Sequence, residues 1–156
     1  MAGYHPLLFT LIALLAAVEL GLSAFLVHQV QHAPSSRYKS LVILFLFDAV
    51  WTLLFAGAFV FWIMNGALHL LASIGSSGVW LTITAILWGV AAGLFHNLLG
   101  GVNCRDTPAL SSCRQAQALE AIGWTEMALC IVTLLAACFW VRSSKRNPVR
   151  RSFRSI

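Results

Sequence analysis

Residues 40–64, SLVILFLFDAVWTLLFAGAFVFWIM, decide the fold of this chain. The stretch holds a single charged side chain, Asp48, and is otherwise apolar on every face that a helix could present. About 20 apolar residues in a helix cross about 30 Å of hydrocarbon. These residues are therefore predicted to form a membrane-spanning helix.

Three further stretches of the same character fill most of the remaining chain. The four predicted spans are Leu7 to Val27, Ser40 to Met64, Val79 to Leu99 and Ala118 to Val141. Hydrophobic residues make up 60% of the chain and charged residues 10%, and the mean hydropathy is +0.84. A water-soluble four-helix bundle, the alternative, would leave large apolar faces in water. We predict an all-α integral membrane four-helix bundle over residues 1–141, followed by a basic cytosolic tail over residues 142–156.

The first span has a second interpretation as a cleaved signal peptide, which would leave three spans. Against it, Met1 to Pro6 contains no Lys or Arg, and Glu19 interrupts the apolar run. Between spans two and three, Asn65-Gly66 predicts a break, and the sequence Gly-Ser-Ser-Gly at 75–78 predicts a flexible turn.

Basic residues determine the expected orientation in the membrane. Six cations follow the fourth span: Arg142, Lys145, Arg146, Arg150, Arg151 and Arg154. Loops one and three together hold four, which are Arg37, Lys39, Arg105 and Arg114. The larger cluster predicts a cytosolic C-terminus, and four spans then place the N-terminus in the cytosol too. We expect a multi-pass protein of the plasma membrane or an endomembrane.

The six cations of the tail are also candidates for binding anionic lipid. A basic cluster next to a membrane gains about 1 kcal/mol per Lys or Arg on an anionic leaflet. The alternative is that the cations only set orientation, which Arg142, Lys145 and Arg146 would do alone. Membrane lipids are the expected partners, with a homo-oligomer or other membrane proteins as further candidates. The net charge of +5 resides largely in this tail and does not indicate nucleic-acid binding.

Two of the four cysteines lie in the third loop, on the side predicted to be non-cytosolic. Because disulfides persist in oxidising compartments, a Cys104–Cys113 bridge is predicted. The alternative is two free thiols in a flexible loop. Cys130 and Cys138 lie inside span four, where small packing residues are the expected role. The thiols lack a nearby histidine, so no metal site is predicted.

Acidic residues occur inside three different spans, at Glu19, Asp48 and Glu126. Each lies about eight residues from the span end nearest loop one or three, which puts all three about 12 Å below the same membrane face. An intramembrane acid is expensive and is expected to face the bundle interior. Burial and mutual like charge disfavour the charged form, so at least one is expected to be neutral at pH 7.

Two interpretations of these acids remain open. In the functional one, the carboxylates converge and exchange protons or a cation with His96, which lies nearer the same face. In the structural one, they are neutral acids bonded to a Trp indole, to backbone carbonyls or to the hydroxyls of Thr52, Thr84 and Thr125. The structural interpretation is favoured because few polar residues continue into the other half of the bundle.

Small residues at helical spacing mark candidate packing faces. Span one carries Ala13-x-x-x-Ala17-x-x-x-Gly21, and span three carries Gly89-x-x-x-Gly93. Small side chains let helices approach closely in lipid. Each motif is expected to seat a neighbouring helix of the same bundle, and a second copy of the chain is the alternative.

Several motifs together carry a resemblance to a known family. They are Arg37-x-Lys39 before span two, Val50-Trp51-Thr52-Leu53-Leu54 within it, Trp80 and Trp88 in span three, and Cys113-Arg114-Gln115-Ala116-Gln117-Ala118 before a span containing Glu126. With four spans and a small cysteine-bearing third loop, the chain resembles the MARVEL family, particularly its short fungal members, over about residues 5 to 141. The resemblance implies a non-enzymatic role in organising membrane regions, vesicle traffic or membrane apposition, and it transfers no catalytic residues.

No enzyme motif accompanies these features. The sequence has no Gly-rich phosphate loop, nucleophile elbow or H-E-x-x-H. We predict neither an enzymatic activity nor a cofactor. The alternative function is a small proton- or cation-conducting channel or transporter that uses the intramembrane acids.

The predicted topology and disulfide are testable together by thiol labelling. In intact cells, a membrane-impermeant thiol reagent is expected to label Cys104 and Cys113 only after reduction. In a Cys104→Ser variant, Cys113 is expected to label without reduction, because its partner is gone. Strong labelling of Cys104 in unreduced, intact cells would rule out the bridge.

Overall fold

The computed structural model describes residues 4–30, 36–64, 74–100 and 111–146. Over these ranges it contains four α-helices and no strand. The helices are α1 (Tyr4–Val30), α2 (Ser36–Met64), α3 (Ile74–Leu99) and α4 (Ser112–Arg146). Each is long and apolar enough to cross a membrane, along Leu7–Gln29, Ser36–Phe61, Ser76–Leu99 and Ser112–Phe139. The prediction of an all-α bundle with four membrane-spanning helices is confirmed.

All four helices begin earlier than the sequence predicted, and α1 begins at Tyr4. Helix α2 begins at Ser36, so Arg37 and Lys39 lie in its first turn and not in a loop. Helix α3 begins at Ile74, and the Gly-Ser-Ser-Gly sequence predicted as a flexible turn is helical. Near hydrocarbon a helix satisfies its backbone groups internally, which outweighs the turn preference of Gly and Ser.

Helix α4 also begins before its predicted start at Ala118. The backbone N–H of Arg114 donates to the Oγ of Ser111 at 3.4 Å, and the N–H of Gln115 donates to the Ser111 carbonyl at 3.1 Å. Ser111 is therefore the N-cap of α4. At its other end α4 continues to Arg146, five residues into the predicted tail. Pro148 follows two residues later, and proline opposes a helix at the residue before it.

Helix α3 ends at a glycine cap. Gly100 has a positive φ of 56°, and its N–H donates to the carbonyl of His96 at 3.1 Å. A left-handed residue directly after a helix closes its last turn in this way, and glycine adopts that conformation without strain.

The helices form a closed ring in chain order. Helix α1 packs against α2, α2 against α3 and α3 against α4, and α1 closes the ring against α4. The buried residues of each helix recur at alternating steps of three and four. In α1 they are Phe9, Ile12, Ala16, Glu19, Ser23 and Leu26. In α2 they are Val42, Phe45, Ala49, Thr52, Ala56 and Phe59, with Asp48 buried beside Ala49.

The same spacing continues in the second half of the chain. In α3 the inward residues include Leu81, Thr84, Trp88, Ala91 and Phe95. In α4 they are Ala116, Leu119, Gly123, Glu126, Cys130, Thr133 and Ala137. This spacing is that of left-handed, coiled-coil-like packing, the common arrangement of membrane helices.

The outer surface of the ring is more uniformly apolar than its interior. Leu14, Leu54 and Phe139 are 59%, 67% and 77% exposed. The interior instead combines large side chains with many small or polar ones. Where lipid surrounds the bundle, an apolar side chain gains no hydrophobic free energy by facing inward. Residue size and polarity instead determine which face of each helix lies inside.

Gly123 is a point of close packing between described helices. A methyl group placed on Gly123 would lie 2.8 Å from Cε1 of Phe45 and 3.4 Å from Cβ of Ala92. Phe45 has little room to move, because its ring packs edge-on against Phe95 at 5.3 Å between centroids. Helices α2, α3 and α4 therefore pack together at Gly123, which was not among the predicted packing residues.

We predict that Gly123→Leu lowers the free energy of unfolding in detergent by about 1–3 kcal/mol, because the core must be overpacked. Gly21→Leu is the matched control, since a methyl group on Gly21 would meet nothing within 4 Å. Thermal or SDS-induced unfolding of both variants measures the difference. Equal stability of the two variants would contradict the close approach at Gly123.

Candidate functional site

The three intramembrane acids all lie inside the bundle. The side chains of Glu19, Asp48 and Glu126 are 0%, 1% and 0% exposed. None of their carboxyl oxygens has a hydrogen-bond partner among the residues that the structure describes. These three residues, called the acid tier below, form the most unusual chemical feature of the interior.

Glu19 and Asp48 lie at the same depth. Helices α1 and α2 are antiparallel, and the rings of Phe9 and Phe59 meet with centroids 5.5 Å apart. Ten residues onward from Phe9 is Glu19, and ten residues back from Phe59 is Ala49. Because both helices rise about 1.5 Å per residue, Glu19 lies level with Ala49 and its neighbour Asp48.

Glu126 belongs to the same level. Helices α2 and α4 run in parallel, and Gly123 of α4 lies against the ring of Phe45. Three residues further along each helix are Asp48 and Glu126. Glu126 is also close enough to Glu19 to interact with it electrostatically. Three helices therefore each bring one carboxyl group to one layer of the interior.

The hydroxyl groups expected to bond these acids are engaged elsewhere. The indole Nε1–H of Trp88 donates to Oγ1 of Thr52 at 3.0 Å, and that of Trp51 donates to Oγ1 of Thr84 at 3.3 Å. Thr125 is exposed and donates to a carbonyl of its own helix at 2.8 Å. The expected threonine–carboxyl bonds are wrong, because Thr52 and Thr84 instead pair with indoles and no carboxyl oxygen of the acid tier has a partner in the described helices.

The indole–hydroxyl pairs are the interhelical hydrogen bonds of this region. Both cross from α2 to α3, and their direction is reciprocal: an indole of each helix reaches a threonine of the other. A buried indole N–H without an acceptor is costly, so each threonine is matched to its tryptophan. These pairs lie next to the acid tier and hold α2 and α3 in register.

Apolar clusters close the acid tier on both sides. Towards the end of the bundle where α2 and α4 begin, the core contains Leu26, Val42, Phe45, Phe95 and Leu119. Towards the opposite end it contains Phe9, Ile12, Phe59, Trp80 and Leu81. Within the four described helices, no chain of polar side chains leads from the acid tier to either end.

The remaining buried hydroxyls do not extend the acid tier. Ser23 donates to the carbonyl of Leu20 at 3.2 Å, and Thr133 donates to the carbonyl of Leu129 at 2.7 Å. Each bond returns to the helix that carries the side chain, which is the usual way a membrane helix satisfies a hydroxyl. These groups therefore fill space between helices without forming a polar file.

His96 is not joined to the acid tier. Its Nδ1 lies 2.7 Å from Oε1 of Glu120, and the two side chains are 64% and 15% exposed. Glu120 precedes Glu126 by six residues, which is about 9 Å along α4. The pair links the last turn of α3 to α4 near the bundle end, and the intervening core is apolar.

The structure separates the predicted packing residues into two groups. Ala13 is half-buried, and a methyl group on Gly89 would lie 2.9 Å from Sδ of Met127 in α4. Ala17 and Gly21 are exposed, and a methyl group on Gly93 would meet nothing within 4 Å. The expectation that both motifs seat a helix of the same bundle is therefore wrong for Ala17 and Gly21, and it stays a prediction for the half-buried Gly93.

The signal that would have found Gly123 was present in the sequence. Ala116, Gly123, Cys130 and Ala137 recur every seven residues along span four. A strict seven-residue repeat of small residues marks one face of a supercoiled helix. The predicted packing motifs consist of small residues four positions apart, and they therefore do not include this seven-residue repeat.

The predicted disulfide and the tail fall partly outside the described residues. Cys130 and Cys138 are free thiols, and Cys113 at the start of α4 is not among them. Cys104 lies outside the described residues, so the Cys104–Cys113 bridge stays a prediction. In the tail, Arg150, Arg151 and Arg154 also lie outside, whereas Arg142, Lys145 and Arg146 belong to α4. The described helices contain no group of three or more His, Cys, Asp or Glu that could hold a metal ion.

Comparison with models of protein families, with curated proteins and with solved structures found no match to this chain. The class that the geometry itself supports is a four-helix, multi-pass membrane protein with a closed, partly acidic interior.

We predict that Thr52→Val destabilises the bundle by about 1 kcal/mol, because the buried Trp88 indole loses its acceptor. Thr125→Val is the control, since that hydroxyl is exposed and bonds only its own helix. Unfolding of the wild type, of Thr52→Val, Trp88→Phe and their double variant measures the coupling, with Thr125→Val measured alongside. Strict additivity in this double-mutant cycle would show that the bond contributes nothing.

Proposed function

We propose that this chain is a non-enzymatic integral membrane scaffold that organises membrane regions, vesicle traffic or membrane apposition. Membrane lipids and other membrane proteins, or further copies of the chain, are its partners. The termini lie in the cytosol, and the protein resides in the plasma membrane or an endomembrane. The motifs that resemble the MARVEL family support this proposal, and so does the positive charge clustered after the fourth helix.

The closure of the acid tier is the observation that carries the proposal. A conducting pathway needs polar groups or water along its whole length, because an ion in hydrocarbon is costly. In the described helices the acid tier is instead enclosed by large apolar side chains at both ends, including Phe45 and Phe59. This arrangement favours a packing role for the acids.

The outer surface of the bundle also supports the scaffold proposal. Large apolar side chains cover the four helices, as lipid contact requires. Ala17 and Gly21 leave a shallow, open strip on α1 among these larger side chains. Such a strip permits close approach of another membrane helix, which is what lateral organisation needs.

A second candidate function is conduction of protons or a cation through the acid tier. It is favoured by one observation, the convergence of three carboxyl groups that have no bonding partner in the described helices. Buried acids facing one another are typical of proton relays in pumps and transporters. Conduction would require the apolar clusters to open, so the two candidates differ in a measurable flux.

We expect the purified full chain in liposomes to carry no proton or potassium flux above that of protein-free liposomes. A pore-forming peptide serves as the positive control, and wild type, Glu19→Gln, Asp48→Asn and Glu120→Gln are compared at equal protein density. Flux that is lost in Glu19→Gln or Asp48→Asn but retained in Glu120→Gln would replace the scaffold by the conducting candidate. Glu120 is the matched acid, since it lies near the bundle end and pairs with His96.

A further inference from the structure

A cleft separates the beginning of α2 from the end of α3. Its volume is about 540 Å³. The residues that line it are Ser36, Arg37, Ser40, Leu41, Leu94, Asn97 and Leu98. All of these side chains are exposed or half-buried, so the cleft opens at the outer surface of the bundle near its end.

The lining changes from polar to apolar along the membrane normal. On α2, Ser36, Arg37 and Ser40 occupy the first turn, and Leu41 comes next. On α3, Asn97 and Leu98 lie near the end of the helix, and Leu94 lies about one turn deeper. A helix turn is about 5.4 Å, so the change occurs within one turn on both walls. This order matches the boundary between headgroups and acyl chains of a bilayer.

The polar part of the cleft is positively charged. Arg37 makes no ion pair with any described residue, and Lys39 stands on the same turn. The first turn of α2 contains no acidic residue, and its helix dipole adds partial positive charge. Glu120, the described acid near this end, is already paired with His96. The cleft therefore offers an unneutralised guanidinium beside the hydroxyl of Ser36, while the Ser40 hydroxyl donates to the Ser36 carbonyl.

From this geometry we propose that the cleft binds an anionic phospholipid. The phosphate lies against the Arg37 guanidinium, the Ser36 hydroxyl and the Asn97 amide, beside Ser40, whose hydroxyl donates to the Ser36 carbonyl at 3.1 Å. An acyl chain lies over Leu41 and Leu94. Arginine recognises phosphate by paired charge-assisted hydrogen bonds, which a lipid without phosphate cannot accept.

The apolar floor distinguishes a lipid from a soluble phosphate. A free anion would use only the polar rim, whereas a phospholipid also covers the leucines, of which Leu94 is 48% exposed. The site gives the proposed organisation of membrane regions a specific lipid contact and in that sense rests on the proposed function. It is separate from the basic residues that follow the fourth span, because it lies at the opposite end of the helices.

The test is native mass spectrometry of the delipidated full chain in neutral detergent. The probes are phosphatidylglycerol, diacylglycerol with the same acyl chains, and inorganic phosphate. We expect one phosphatidylglycerol to bind about tenfold more tightly than diacylglycerol, and Arg37→Gln to remove about tenfold of that affinity. Lys39→Gln, an equally exposed cation of the same turn outside the cleft lining, is expected to change it less than about twofold.

A second pair of variants tests the apolar floor. Leu94→Trp is expected to block the acyl-chain part and weaken phosphatidylglycerol binding, whereas Leu54→Trp, at a lipid-facing position of α2 that is 67% exposed, is expected to leave it unchanged. Unaltered melting temperatures without lipid show that the variants remain folded.

Three outcomes would overturn the site: equal binding of diacylglycerol, equal losses in Arg37→Gln and Lys39→Gln, or displacement of the lipid by inorganic phosphate at matched concentration. Ion flux in liposomes would overturn the proposed scaffold and leave this binding result standing, so the two failures are distinguishable.

Discussion

Hydrocarbon offers no hydrogen-bond partner to a peptide group, and the rest of this structure depends on that constraint. Each of the four helices must satisfy its own backbone, which is why Gly and Ser residues near the start of α3 remain helical. The same constraint holds for side chains, so hydroxyls such as Thr133 bond their own helix and indoles such as that of Trp88 reach a neighbour's threonine. Helix bounds and interhelical bonds thus have one physical origin.

The surrounding lipid also changes which kinds of residue face the interior of the bundle. In water the inward face of a helix is its apolar face, but here both faces are apolar. What distinguishes the inside is size and polarity, because small residues permit close approach and polar ones avoid lipid. Gly123 and the acid tier of Glu19, Asp48 and Glu126 are two results of that selection. Gly123 and Glu126 lie within one turn of each other on α4, so a close helix contact and the acid tier lie at nearly the same depth.

Two polar sites of the described helices lie at different depths: the acid tier, and the cleft beside Arg37. The acid tier lies between apolar clusters and contacts neither end of the bundle. The cleft lies at the bundle end, where Arg37 stands without a counter-ion in the described chain. The apolar layers around the acid tier and the proposed phospholipid cleft at the rim both support the proposed role in organising the surrounding membrane.

The sequence by itself determined the class of fold and the content of the interior. Four apolar stretches predicted four spans, and the cost of charge in lipid predicted that Glu19, Asp48 and Glu126 lie inward at one depth. These inferences needed only transfer free energies and the rise of a helix, which are local properties of the chain.

Only the tertiary structure decided which groups meet. The threonines expected to bond the acids are taken by tryptophans, His96 is taken by Glu120, and Ala17 and Gly21 face outward. Pairings of this kind depend on helix rotation and relative height, and neither is encoded by hydropathy when all faces are apolar. The cleft at Arg37 arises for the same reason, since it exists only where the ends of two helices separated along the chain stand side by side.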